Sequence, residues 1–253
     1  MKDAEFPAGG LSLFAEKARY DETTVFPQGH RPEAFGMIGP GEDFENADLE
    51  GADFAGRDLS RANFKRANLS KADLRNIDLE FADLSDANLS EANLEGANLE
   101  GAYLVAANLE GANCRGARFI NSVLRDASLV RGDFSEARFG AANLNRAKMT
   151  GADLRWACFT TIVLMDAFLT DANLEGADLR GADLEEAYLV GVNLKGAKYN
   201  EQTKFREFFD PKSAGMTELK GPISEPKSIC GLRAPSFCRD ALLRGIDRDE
   251  ESE

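Results

Sequence analysis

From Phe44 to Tyr199 every fifth residue is Leu, Phe, Met, Cys or Tyr, 32 positions without one break in register. Period five suits neither standard element. A helix turns about 100° per residue and would scatter these side chains around its axis, and a strand would send alternate ones to opposite faces. Two places before the large residue stands Ala in 25 of the 32 units, the exceptions being Glu42, Arg57, Ile77, Ser122, Gly132, Ile162 and Val192. Between the two lies Asp or Asn in 21 of the 32. An apolar pair two residues apart is one extended step with both side chains on one face. The other three residues, often ending in Gly, must turn a corner. Five residues therefore make one side of a coil.

The number of sides follows from the multiple of five that brings like residues together. At a spacing of twenty, Asp53, Asp73, Asn93, Asn113, Asp133, Asp153, Asn173 and Asn193 form an unbroken column, and Phe119, Phe139 and Phe159 form another. This predicts an all-β, four-sided parallel solenoid whose large residues, at positions ending in 4 and 9, point inward. About eight coils at the ~4.8 Å sheet spacing give a rod roughly 38 Å tall. Each coil buries four large side chains, at roughly 1.5–3 kcal/mol apiece. Ordering twenty residues costs more than that, so coil-to-coil hydrogen bonds and stacking have to supply the rest.

The repeated units "ANLEG", "ADLRG" and "ANFKR" resemble those of the pentapeptide-repeat family, over residues 42 to 201. The resemblance implies a right-handed quadrilateral parallel β-helix and a non-enzymatic role. Members commonly act as binding scaffolds, and one branch imitates DNA and protects DNA gyrase and other type II topoisomerases from quinolones. Many come from cyanobacteria and chloroplasts, and the ending of this solenoid resembles theirs. A structural accessory subunit of a photosynthetic or regulatory complex is a third role the resemblance allows.

Four parts are expected: an N-terminal cap segment at 1–41, the solenoid at 42–201, a C-terminal cap at 202–246 and an acidic tail at 247–253. A solenoid exposes the backbone edge of its end coils, which invites end-to-end pairing unless covered. Residues 18–37 align without a gap on residues 197–216, with eight of twenty identical, so both flanks read as apolar plugs of similar path, the alternative being that the first copy ends a lost upstream solenoid or docks laterally. Within the C-terminal cap, "PSFCRDALLRG" predicts a short helix capped by Ser236 and ending at Gly245. Cys230 and Cys238, eight apart, either form a disulfide across the preceding turn or stay as two thiols. Cys114 occupies an inward place. Cys158 replaces an outward Asp or Asn and is the better candidate for a reactive thiol.

Nothing in the sequence supports catalysis, a cofactor or a metal. The single histidine is His30, and no C-x-x-C pair occurs. The many carboxylates are spaced by the repeat, and the glycines recur at corners, not in a phosphate-cradling loop. No run of 18 apolar residues exists, so no membrane insertion is expected. The start, "MKDAEFPAGG", has no signal-peptide character. A cytoplasmic protein is the expectation, or a chloroplast or thylakoid one if a targeting peptide has been removed.

The partner class follows from charge and from exceptions to the polar rule. A net charge of −14 excludes direct nucleic-acid binding on Coulombic grounds. Residues 41–110 carry 16 acidic and 6 basic side chains, whereas residues 111–155 carry 4 acidic and 8 basic. A duplex mimic wants continuous negative charge, and a basic belt interrupts it. Tyr103, Val123 and Val163 stand in one outward column where Asp or Asn is the rule, with Val105 and Met165 two residues further along. The next side adds Phe168 and Tyr188, with Val130 and Val190 nearby. Stacked apolar residues can simply strengthen a sheet surface. Gathered on two adjacent sides, they mark a contact for an unidentified protein partner. Neither that partner nor the oligomeric state is legible.

Overall fold

A computed structural model describes residues 39–221. The pentad Ala107 to Gly111 shows why the chain coils, because each of its five backbone N–H groups has its own acceptor. Ala107 N donates to Leu104 O at 3.1 Å and closes the corner. Asn108 N reaches back to Ala87 O at 2.9 Å, and Leu109 N and Gly111 N reach forward to Ser128 O and Val130 O at 2.7 and 3.0 Å. The fifth, Glu110 N, donates to the Asn108 side chain, Oδ1, at 3.1 Å. An Asp or Asn before the large residue thus satisfies a corner N–H that no neighbouring coil takes.

The same pattern repeats along the rod. Parallel bridges join residues twenty apart, from Asp43 with Asn63 to Asp178 with Lys198, so four pentads make one turn. Every large residue at a position ending in 4 or 9 from Leu49 to Leu184 is buried, and the small residues two before them fill the space between. Phe139 lies between Phe119 and Phe159 in one inward column, stacked on each at 4.9 Å. At the first end Phe44 stacks on Phe64 at 4.8 Å with Phe54 beside them, an aromatic floor under the aliphatic column. Cys114 is buried inside, and burial pushes its thiol well above the usual value.

Every second corner residue, at positions ending in 1 and 6, has positive φ from Gly41 to Gly181. Glycine holds many of these places, and Arg, Lys, Glu, Phe and Trp hold others, each in the left-handed region that favours Gly or Asn.

The far end departs from the spacing of twenty. Strands β1 (Asp183–Leu184), β2 (Lys198–Tyr199), β3 (Lys204–Phe205) and β4 (Thr217–Glu218) pair as β1 with β3 and β2 with β4, both parallel. Asp183 faces Lys204, and Lys198 faces Thr217, so one step is 21 residues and the other 19. The extra residue is absorbed where Thr203 Oγ1 donates to Leu179 O at 3.0 Å and Asn200 Oδ1 accepts from Gly181 N at 3.0 Å. Phe205 stacks on Phe209 at 5.0 Å, and both pack on the core with Ala214, while Met216 is buried. The described part of the exit segment thus packs on the core at this end. Its expected counterpart at 18–37, the helix ending at Gly245, and Cys230 and Cys238 lie outside the described residues.

Candidate protein-binding faces

The four faces are named here for their inward residue in the first coil: Phe44, Leu49, Phe54 and Leu59. On the Phe44 face, Tyr103, Val123 and Val163 occupy one column, joined by the bridges of Tyr103 with Val123 and of Asn143 with Val163. Tyr103 is 53% exposed and Met165 48%, whereas Val105, Val123 and Val163 are half-buried. On the adjoining Leu49 face, Phe168 and Tyr188 stack at 4.8 Å with rings 2° from parallel, and both remain exposed. Arg206 stands over the Tyr188 ring at 5.9 Å. Val190 is exposed nearby, and Val130 is half-buried.

Each of these substitutions removes an acceptor. Where Asn or Asp fills the outward place, its Oδ1 takes the corner N–H and Asn side chains also bond from coil to coil, as Asn108 Nδ2 does to Asn88 Oδ1 at 3.2 Å. Tyr, Val and Phe supply neither bond. At Met165 the N–H turns to Asn145 Oδ1 of the preceding coil at 3.3 Å. A net hydrogen bond is worth about 0.5–1.5 kcal/mol, so the apolar strip forgoes local stability.

Two more aromatics stand exposed at corners: Trp156, readable from the sequence as a weaker anchor on another side, and Phe81, which was not singled out. Phe81 and Trp156 sit at left-handed corner places, 50% and 56% exposed, each lying over the glycine one coil on, Gly101 and Gly176. A large residue followed by Gly twenty places later was the available signal. Phe208 is more exposed still, in the exit segment.

The basic belt is largely neutralised. Arg115 pairs with Glu136 and Arg118 with Glu100, both at 2.8 Å, and Arg131 pairs with Glu110. Arg146 grips Asp126 through two bonds of 2.7 Å, and Arg155 binds Asp153. These hydrogen bonds hold the carboxyls of Asp126 and Asp153 below the usual carboxylate value. Among the described residues no group of three His, Cys, Asp or Glu is placed to hold a metal ion, and no helix is long and apolar enough to cross a membrane.

Comparison with known proteins returns one family. A sequence model of pentapeptide repeats, in eight copies, matches residues 43–80, 82–113, 102–140, 133–164 and 167–198. Among solved structures, the chain is similar to HetL of the cyanobacterium Nostoc sp. strain PCC 7120, a pentapeptide repeat protein involved in heterocyst differentiation regulation. The two share 28% identity over 73% of this chain and 90% of HetL, with a TM-score of 0.32. QnrB1, a plasmid-mediated fluoroquinolone resistance protein, shares 24% identity over 62% of this chain and 82% of its own, with a TM-score of 0.41. A pentapeptide repeat protein of the Arabidopsis thaliana thylakoid lumen shares 21% over 66% and 70%, with a TM-score of 0.15. No curated protein matches, and no enzyme family is indicated.

Proposed function

The chain belongs to the pentapeptide-repeat family, whose members are right-handed quadrilateral β-helices, and from that premise we propose that it is a non-catalytic scaffold for a protein partner. In this reading eight coils between 42 and 201 form a rigid rod, 1–41 and 202–246 are its caps, and 247–253 is an acidic tail. The partner packs on Tyr103, Val105, Val123, Val163 and Met165 and on the adjoining Phe168 and Tyr188.

One observation carries the reading. Large apolar side chains stay exposed on two adjacent faces, at places where Asp or Asn would have satisfied the backbone. A sheet-stabilising role would favour their burial against one another. Tyr103 and Met165 instead present free surface on a support that needs no ordering before it binds. Interfaces draw most of their energy from a few such anchors, while isolated rim charges contribute little. The paired arginines of the belt disfavour a duplex mimic, which requires unbroken negative charge.

The test changes Tyr103 and Met165 to Ser and measures recovery of the partner from native lysate. The pair should leave melting nearly unchanged and reduce recovery roughly tenfold, the equivalent of about 1.4 kcal/mol. Charge reversal at Glu45 and Glu50 is the control. If the reversal abolished recovery while the apolar pair proved silent, steering by the acidic end would replace this account.

A further inference from the structure

The apolar residues of the Phe44 and Leu49 faces fall into two groups along the rod. Tyr103, Val105 and Val123 lie nearer the first end, and Val163, Met165, Phe168 and Tyr188 nearer the exit. Between the groups runs a polar waist of Arg125, Asp126, Asn143, Arg146 and Lys148. We propose, on the basis of the scaffold reading above, that the partner's contact segment is acidic at its middle and apolar on either side, its carboxylates received by this waist.

Cations outnumber acids there. Arg146 grips Asp126, Arg125 Nε approaches the same carboxylate at 3.5 Å, and the exposed Lys148 makes no ion pair among the described residues. The Asp126 carboxyl is held below its usual value first by the Arg146 hydrogen bond and then, against burial, by the charges of Arg146, Arg125 and Lys148, so all three cations bear on one acid. Asp166, one coil on, also acts on Arg146. On either side the same faces turn acidic, with Asp83, Asp86 and Glu91 towards the first end and Glu185 and Glu186 towards the exit. An acidic segment is repelled by both and drawn to the waist, which sets its register along the rod. Complementarity of this kind selects partner and position more than it adds affinity.

The waist also holds donors that lack acceptors. Elsewhere an Asp or Asn takes the N–H two residues on, but Val123 has no oxygen to offer, and the Arg125 N–H finds no acceptor among the described residues. One coil on, Asn143 Oδ1 takes the Asn145 N–H at 3.1 Å. Its Nδ2 would bond to the coil before, as Asn108 Nδ2 does to Asn88, but there it meets Val123. A backbone N–H, a carboxamide and two cations are thus left for one incoming acceptor, and a carboxylate, with about four lone-pair sites, suits them all. A basic segment would leave the N–H and the carboxamide unanswered and would meet Arg125 and Lys148 with like charge.

At ~4.8 Å per coil Tyr103 and Val163 stand roughly 14 Å apart, which an extended segment spans in about four to five residues. Selection of random peptides of about twelve residues, displayed on phage, against the full chain tests the proposal. Enriched peptides are expected to carry Asp or Glu between apolar or aromatic residues. By fluorescence anisotropy they should bind the double variant Arg125→Gln, Lys148→Glu roughly tenfold more weakly, with melting unchanged because both side chains lie outside the core. The milder Lys148→Gln should show a smaller loss in the same direction. Enrichment of neutral or basic centres on the wild type overturns the proposal, as does an acidic peptide that binds the wild type and both variants alike. Peptides without acid that still lose binding with Tyr103→Ser and Met165→Ser remove the acidic segment and leave the scaffold reading standing. Peptides indifferent to every one of these changes, or no enrichment at all, remove both.

Discussion

Asn108 condenses the physics of the single residue. Its Oδ1 takes the Glu110 N–H, and its Nδ2 donates to Asn88 Oδ1 of the coil before. Asn108→Ala loses both and should cost about 1–2 kcal/mol, seen as a fall of a few degrees in melting temperature. Asn108→Asp keeps the acceptor and should lose less. The opposite change, Tyr103→Asn, supplies an acceptor to the Val105 corner and should melt at the same temperature or higher. A clear drop would show that Tyr103 serves the sheet and not a partner. The recurrence of Asp and Asn was plain in the sequence, but its cause was not. A side chain can accept from the N–H two residues on only when the corner between them is bent as it is here. Composition does not reveal that bend.

At the scale of the corner and the coil, glycine and ion pairs decide what is tolerated. A Cβ at Gly101 would overlap the Phe81 ring, and the residue already sits at φ 67°. Gly101→Ala should therefore lower stability by about 1 kcal/mol or more. Phe81→Ala should relieve the steric share, and a double-mutant cycle measures it. Additive effects would mean that the left-handed backbone alone is responsible. Between coils, the Arg146 hydrogen bond lowers the Asp126 carboxyl, as Arg155 does for Asp153 and Arg75 for Asp73. A folded value below the unfolded one, about 3.9, means that the folded chain binds fewer protons in that window. The stabilisation is fully present above the unfolded value and is lost as pH falls through the folded one. Glu80 has the opposite sign, because burial first, then Asp78 and Glu100, raise it. Melting temperature should thus stay level from neutral pH to about 5 and fall below about 4. Arg146→Gln should flatten that acid limb, and an unchanged limb would remove the Asp126 pair from the account.

The whole molecule is a column that must be closed at its ends. The regular spacing foretold its interior, because inward places and corners repeat without a gap. The exit was less legible, since the steps of 21 and 19 rest on bonds of Asn200 and Thr203 that no pentad contains. Deleting residues 200 onward should leave Asp183 and Lys198 as an open parallel edge. Light scattering should then show association, and a monomer would mean that Phe205, Phe209 and Met216 are not needed as a cover. The constant separation of twenty also bears on how the chain acquires its shape. Every bridge from Asp43 to Lys198 joins partners equally near in sequence, wherever they stand in the rod. Within this ladder of described residues no late, distant closure awaits the finished chain. The first two coils to meet form the slow nucleus, and each later coil condenses on the last at a small and constant entropic cost. A polypeptide emerging from the ribosome can therefore wind itself up in step with its own synthesis.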